Sequence, residues 1–312
     1  MLAAPAQAIL LMGPTGAGKS DLALALAAEF PLEIVSVDSA MVFRGLDIGT
    51  AKPPREARER VPHHLIDLLD PAESYSAGRF VRDALVAMSQ IRSRGRTPLL
   101  VGGTMLYFHA LLEGLADLPA ANEEFRRGLD ERATREGWPA LHAELARADP
   151  RAAARIEPGD AQRIQRALEV IDATGTPISE LQVARTPSID RAQVLHLVVA
   201  PARRETLRAR IEQRLASMMS QGFLAEVEQL YGRGDLDTGR PAVRAVGYRQ
   251  LWGHLAGEYS LEEALGRALI ATRQLAKRQM TWLRQHGDAF WCDPLESEAV
   301  GHMSREVRLA LG

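Results

Sequence analysis

Cysteine is almost absent. The chain has one, Cys292, in 312 residues, which excludes an internal disulfide framework and fits a reducing compartment. Long apolar runs are missing too. No stretch approaches the roughly 20 apolar residues that a bilayer crossing needs, so neither a membrane span nor a membrane partner is expected. No basic region precedes the apolar stretch from Ala3 to Met12, which reads as a first strand and not as a signal peptide. A cytoplasmic protein is the expectation. His63 and His64 suggest metal, but neighbours on a strand point to opposite faces and no Cys or His stands at ligand spacing, which argues against zinc. No heptad seam or long apolar edge is visible, so a monomer is expected. The net charge is only −2, which alone argues against a polyanionic partner. Its distribution argues for one: from Arg240 to Arg284, eight basic residues face three acidic ones, a net of +5.

The most informative stretch is Gly13-Pro14-Thr15-Gly16-Ala17-Gly18-Lys19-Ser20. An apolar run, Ala8 to Met12, precedes it, and an Ala/Leu-rich helical pattern follows from Asp21. In that setting the string is a P-loop. Its glycines let backbone N–H groups turn toward phosphate oxygens at the positive end of the next helix. Lys19 supplies a point charge and Ser20 a hydroxyl for Mg²⁺. The motif calls for a di- or triphosphate without saying whose.

Glu33 to Val37 reads as a second buried strand ending at Asp38-Ser39. Chemistry in a parallel sheet collects at the carboxyl ends of strands, so Asp38 is a candidate base or metal-shell ligand, with a helix N-cap as the plain alternative. Residues 40–54 read as a long functional loop. A short strand is expected over His63 to Asp67 and an amphipathic helix over Ser76 to Arg94. A strong strand follows over Pro98 to Gly103, with Thr104 turned into the same crevice or capping the next helix. Helical patterns at Glu123–Glu136, Trp138–Ala148 and Ala161–Thr174 then interrupt the β-period, which returns at Val194 to Pro201. The expected fold is α/β: a P-loop-type parallel sheet core over residues 1–117 and 192–312, split by a helical lobe over 118–191. Farther on, Arg210 and Arg214 share one helical face that could meet an anionic leaving group or make surface ion pairs. Arg273, Lys277 and Arg284 form a basic stripe on a long helix from Leu261 to Gln285.

From these residues alone, a kinase or nucleotide hydrolase is the default. No apolar strand ending in an acidic residue follows Val35-Ser36-Val37-Asp38, and no arginine-rich lid stands out. The alternative is a P-loop that holds diphosphate as a leaving group while Asp38 takes a proton from the acceptor.

The blocks GPTGAGKS, SVDSAMVFRGLDIGTAKP, PHHLID, YSAGRF, LVGGTMLYFHALLEGL, RIEPGDAQRIQRALEV, VRAVGYRQLW and ATRQLAKRQMTWLR span roughly Ile9 to Arg284. In that order they resemble the bacterial tRNA dimethylallyltransferase (tRNA isopentenyltransferase) family. The resemblance implies transfer of a dimethylallyl group from dimethylallyl diphosphate to N6 of adenosine 37, 3′ to the anticodon, in tRNAs reading U-starting codons. It implies Mg²⁺ as cofactor and the anticodon stem-loop as partner, with the target base flipped out. Asp38 would be general base, Thr104 would fix the adenine, and Arg214, with Arg210, would bind the diphosphate beside Thr15 to Ser20. The tRNA-contacting stretches would be Asp38, Ser39, Ala40 and Met41; Gln162, Arg163, Ile164, Gln165 and Arg166; Arg244, Ala245, Val246, Gly247, Tyr248 and Arg249; and Lys277, Arg278, Gln279, Met280, Thr281, Trp282, Leu283 and Arg284. Thr104 and Arg126 would join them. Two positions depart from the family pattern D-S-x-Q-x-Y: Met41 stands for the glutamine and Phe43 for the tyrosine. Met41 cannot hydrogen-bond as an amide does, which leaves packing under a base. A related reading, prenylation of free adenine nucleotides, is disfavoured by the basic helix and the QRIQR segment.

Overall fold

A computed structural model describes residues 5–182 and 186–312; Ala3 and Ala4, expected to open the first strand, lie outside them. The chain divides into two compact units, residues 1–112 with 189–312, and residues 113–188.

The first unit begins with β1 (Ala8–Met12), α1 (Lys19–Glu29), β2 (Leu32–Val37), α2 (Arg55–Arg60), β3 (His63–His64), α3 (Ala77–Ser93), β4 (Thr97–Gly102) and α4 (Met105–Glu113). The second unit holds α5 (Glu123–Glu136), α6 (Trp138–Ala148), α7 (Pro150–Ala153), α8 (Ala161–Thr174) and α9 (Ile178–Leu181). The chain then re-enters the first unit with β5 (Val194–Val199), α10 (Arg204–Ser220), α11 (Phe223–Tyr231), α12 (Tyr248–Leu255), α13 (Leu261–Leu283), β6 (Phe290–Cys292) and α14 (Ala299–Leu311).

Six strands form one parallel sheet in the order β3-β2-β4-β1-β5-β6, as the fold class expected from the sequence requires. Every residue of β1 is buried, which suits a central strand covered on both faces. The period of two divides it: Ala8, Leu10 and Met12 join the core under α3 and α4, whereas Ile9 and Leu11 join the core under α1 and α14. The strand expected over His63 to Asp67 stops after two residues, because Leu65 and Asp67 take φ of 63° and 57° and break the ladder. The Asp67 carboxylate instead accepts from Lys52 at 2.6 Å and Arg58 at 2.7 Å, holding the 40–54 loop in place. β6 and α14 follow the basic helix, in a stretch where the sequence pattern indicates no element.

In the second unit, Leu141, Leu145, Ile164, Ala167 and Val170 form a separate core. Asn122 and Asp160 cap the N-termini of α5 and α8 through their side chains, and Gly175 in left-handed conformation closes α8.

Candidate active site

Register places the chemistry. Val37 pairs with Gly102, Gly102 with Met12, and Met12 with Val198. The next residue along each of the first three strands is therefore Asp38, Gly103 or Gly13, set side by side along one carboxyl edge. Close backbone approach requires glycine along this edge: a Cβ on Gly102, the last residue of β4, would lie 2.0 Å from the Val37 carbonyl oxygen, and one on Gly13 2.3 Å from that of Val199.

The P-loop leaves β1 through Gly16 and Gly18, with φ of 79° and 91°. Gly18 caps α1 without a side chain, so the first-turn N–H groups remain available to an anion. Lys19 Nζ donates to the Pro14 carbonyl at 2.8 Å. Desolvation, followed by the nearby Arg214 guanidinium, pushes the Lys19 pKa down to about 8, with Asp38 opposing. α10 lies against the loop: Leu207 and Ile211 approach Gly16, and Arg210 Nε donates to the Gly16 carbonyl at 2.8 Å. Arg214 sits one turn on, 3.4 Å from Thr15 Oγ1 and 3.3 Å from the Thr50 carbonyl. Of the two readings of this arginine pair, the geometry favours the inward one. Glu212, the acidic residue between them, pairs with Arg273 of α13.

Asp38 is half-buried at the end of β2, and its Oδ1 accepts from the N–H groups of Ala40 at 2.8 Å and Met41 at 3.2 Å. Both bonds go to one oxygen, and they fix the carboxylate plane. Thr104 Oγ1 accepts from the Ser39 N–H at 3.1 Å, so β4's turn is stitched to β2's. Burial, then the Asp38 charge, pushes the Tyr107 phenol up, so it stays protonated while stacked on Phe80 at 4.2 Å. Met41 packs its sulfur 3.8 Å from Ser36 Oγ, and Phe43 is fully buried in the core of the loop.

A model of the IPP transferase family matches residues 41–286. The tRNA dimethylallyltransferase of Methylococcus capsulatus is 54% identical over 304 residues, covering 97% of both chains, and that of Nitrosococcus oceani 53% with the same coverage. The chain belongs to the IPP transferase family. Among solved members, the tRNA isopentenylpyrophosphate transferase of Bacillus halodurans superposes with a TM-score of 0.70 at 35% identity, covering 97% of this chain and 96% of that one. A eukaryotic dimethylallyltransferase acting on tRNA gives 0.77 at 28%, covering 96% and 77%. The family model begins at Met41, after the P-loop and Asp38; the curated relatives span those residues too.

Several side chains of the RNA-contacting set implied by the family resemblance are turned away from solvent. Ile164, Tyr248 and Leu283 are buried in hydrophobic cores and have no surface to offer RNA. Gln279 is 6% exposed and turned inward. Arg126 and Arg166 are committed to the buried Glu169: Arg126 grips it through two bonds of 2.8 and 2.9 Å, and Arg166 adds one of 2.5 Å. The exposed cations at the C-terminal end of α13 are Lys277 and Arg278, with Arg284 just past its last residue; Arg267, also exposed, pairs with Glu263.

The sequence leaves one contributor out and gives another a different role. Glu226 of α11 accepts from the N–H groups of Asp47, Ile48 and Gly49 at 3.0, 2.7 and 3.1 Å, and from the Tyr248 hydroxyl at 2.5 Å. That carboxylate fixes the loop whose Thr50 carbonyl meets Arg214. The other is Gln279, expected from the family resemblance to contact tRNA, which is the only polar side chain buried on α13 among the described residues. A glutamine among alanines on an apolar stripe was the available signal.

Proposed function

We propose that the chain transfers a dimethylallyl group from dimethylallyl diphosphate to N6 of adenosine 37 in tRNAs reading U-starting codons. The observation that carries this reading is the row of Gly13, Gly103 and Asp38 along one sheet edge, with Thr104 bonded to Ser39 beside it and Arg214 facing the P-loop. A diphosphate cradle and a carboxylate base then stand beside each other. The relatives named tRNA dimethylallyltransferase support it.

In this reaction an N6–C1 bond forms and the C1–O bond of the donor breaks. Asp38 accepts the N6 proton, with the uncommitted Oδ2 as the receiving atom. Thr104 orients the adenine. Lys19, Arg214 and the P-loop N–H groups take up the charge that develops on the departing diphosphate. Mg²⁺ fits the donor set. Ser20 stands exposed in the first turn of α1, and no group of three His, Cys, Asp or Glu side chains gathers among the described residues. Mg²⁺ is commonly held by one protein oxygen, phosphates and water. Bound there, it would supply charge neutralisation on the diphosphate. We assign the RNA backbone to the exposed Lys277, Arg278 and Arg284, with Arg163, Arg244 and Arg249 as further contacts.

The test is a mixture of protein, Mg²⁺, dimethylallyl diphosphate and unmodified tRNA, run in parallel with AMP and read by nucleoside mass. The expected product is prenylated adenosine from tRNA only. Product from AMP only would make the acceptor a free nucleotide. ATP turnover with no prenylated product would overturn the assignment.

A further inference from the structure

The side-chain amide of Gln279 spans two loops that carry opposite halves of the proposed reaction. Its Oε1 accepts from the Thr15 N–H at 2.9 Å, and its Nε2 donates to the Gly103 carbonyl at 2.7 Å. Thr15 belongs to the diphosphate loop after β1. Gly103 begins the turn that presents Thr104 after β4. Backbone pairing between these strands ends at Met12 and Gly102, so the glutamine adds one side-chain rung where the ladder stops. Glycine at 103 is what admits it: a Cβ there would lie 2.5 Å from Gln279 Nε2. A buried amide with donor and acceptor both satisfied is rigid, and losing either bond is costly.

We infer that Gln279 is a positioning residue for prenyl transfer, setting the separation of the diphosphate loop from the Thr104 turn. This rests on the function proposed above. Donor carbon and acceptor nitrogen must meet at roughly 3–3.5 Å, and a displacement of about 1 Å costs on the order of a hundredfold in rate. Gln279 touches neither reacting atom; it acts through Thr15 and Thr104. Its helix carries Lys277 and Arg278 exposed, with Arg284 exposed just past its end, so one element holds RNA charge outward and the site's alignment inward.

The experiment compares wild type, Gln279→Met, Gly103→Ala and the double variant. Gln279→Met keeps the length and removes both bonds; Gly103→Ala expels the amide from the other side. Single-turnover rate, KM for dimethylallyl diphosphate, and tRNA affinity are read for each, with a melting curve to show that each is folded at the assay temperature. The expected result is a rate about ten- to a hundredfold lower in each single variant, tRNA affinity within about twofold of wild type, and a double variant no slower than the slower single one. A Gln279→Met rate within about threefold of wild type overturns the inference. So does a tRNA affinity that falls in step with the rate, which would make Gln279 an RNA contact, or losses that multiply in the double variant. A wild type that binds diphosphate yet prenylates nothing overturns the functional reading and this one with it; an active wild type beside a fully active Gln279→Met overturns this one alone.

Discussion

Lys19 carries a consequence that depends on pH. Its ammonium loses its proton near pH 8 because burial and Arg214 both disfavour the charge. A bound diphosphate favours the charged form, so affinity is full below that pH and declines as pH rises through it. Inorganic diphosphate should bind about tenfold more weakly at pH 9.5 than at pH 7.5 by calorimetry, and Lys19→Met should lack that loss. Asp38 makes a sharper demand. Asp38→Ala should lower the single-turnover rate by about a hundredfold or more while tRNA affinity changes little, since a general base contributes about 10²–10⁴. Equal losses in rate and affinity would make Asp38 a docking residue instead. Asp38 was legible in the sequence because a buried strand ends on it. Glu226 and the inward role of Gln279 were not, because their partners lie far along the chain: residues 47–49 for one, Thr15 and Gly103 for the other.

Among the elements, α5, α6 and α8 run between the residues their periodicity indicated. Asn122 and Asp160 open two of them, and Gly137 and Gly175 close two, so local chemistry sets the ends. β6 escaped notice because three residues carry no period, and α14 because its apolar stripe follows an acidic turn. Its Ala299, Met303 and Val307 close the core beside α1. α11 acts chiefly through Glu226. Glu226→Ala strips one acceptor from three loop N–H groups and a phenol, and should cost about 1–3 kcal/mol in a denaturant titration. On α13, Lys277→Glu should weaken anticodon stem-loop binding and lessen the slope of log affinity against log salt by about one. An unchanged slope would remove that residue from the phosphate contacts.

For the whole molecule, the decisive feature is the interruption of one unit by another. The Ile189 N–H donates to the Leu111 carbonyl at 3.3 Å, so the chain leaves the first unit and returns to it at one spot. Replacing Glu113–Ser188 with a short glycine-serine linker should leave a chain that melts cooperatively and binds inorganic diphosphate within a few-fold of wild type; loss of the cooperative melt would show that the first unit needs the second to fold. The same interruption dictates an order of events during synthesis. β1 is flanked by β4 and β5, and β5 emerges from the ribosome only after all of α5–α9 has been made. The first half of the sheet must therefore wait with an open hydrogen-bonding edge on its most apolar strand, while the intervening helices, whose contacts are close in sequence, complete their own core. A nascent chain halted just after Leu112 is consequently the species most exposed to aggregation, and the one for which a chaperone has most to do.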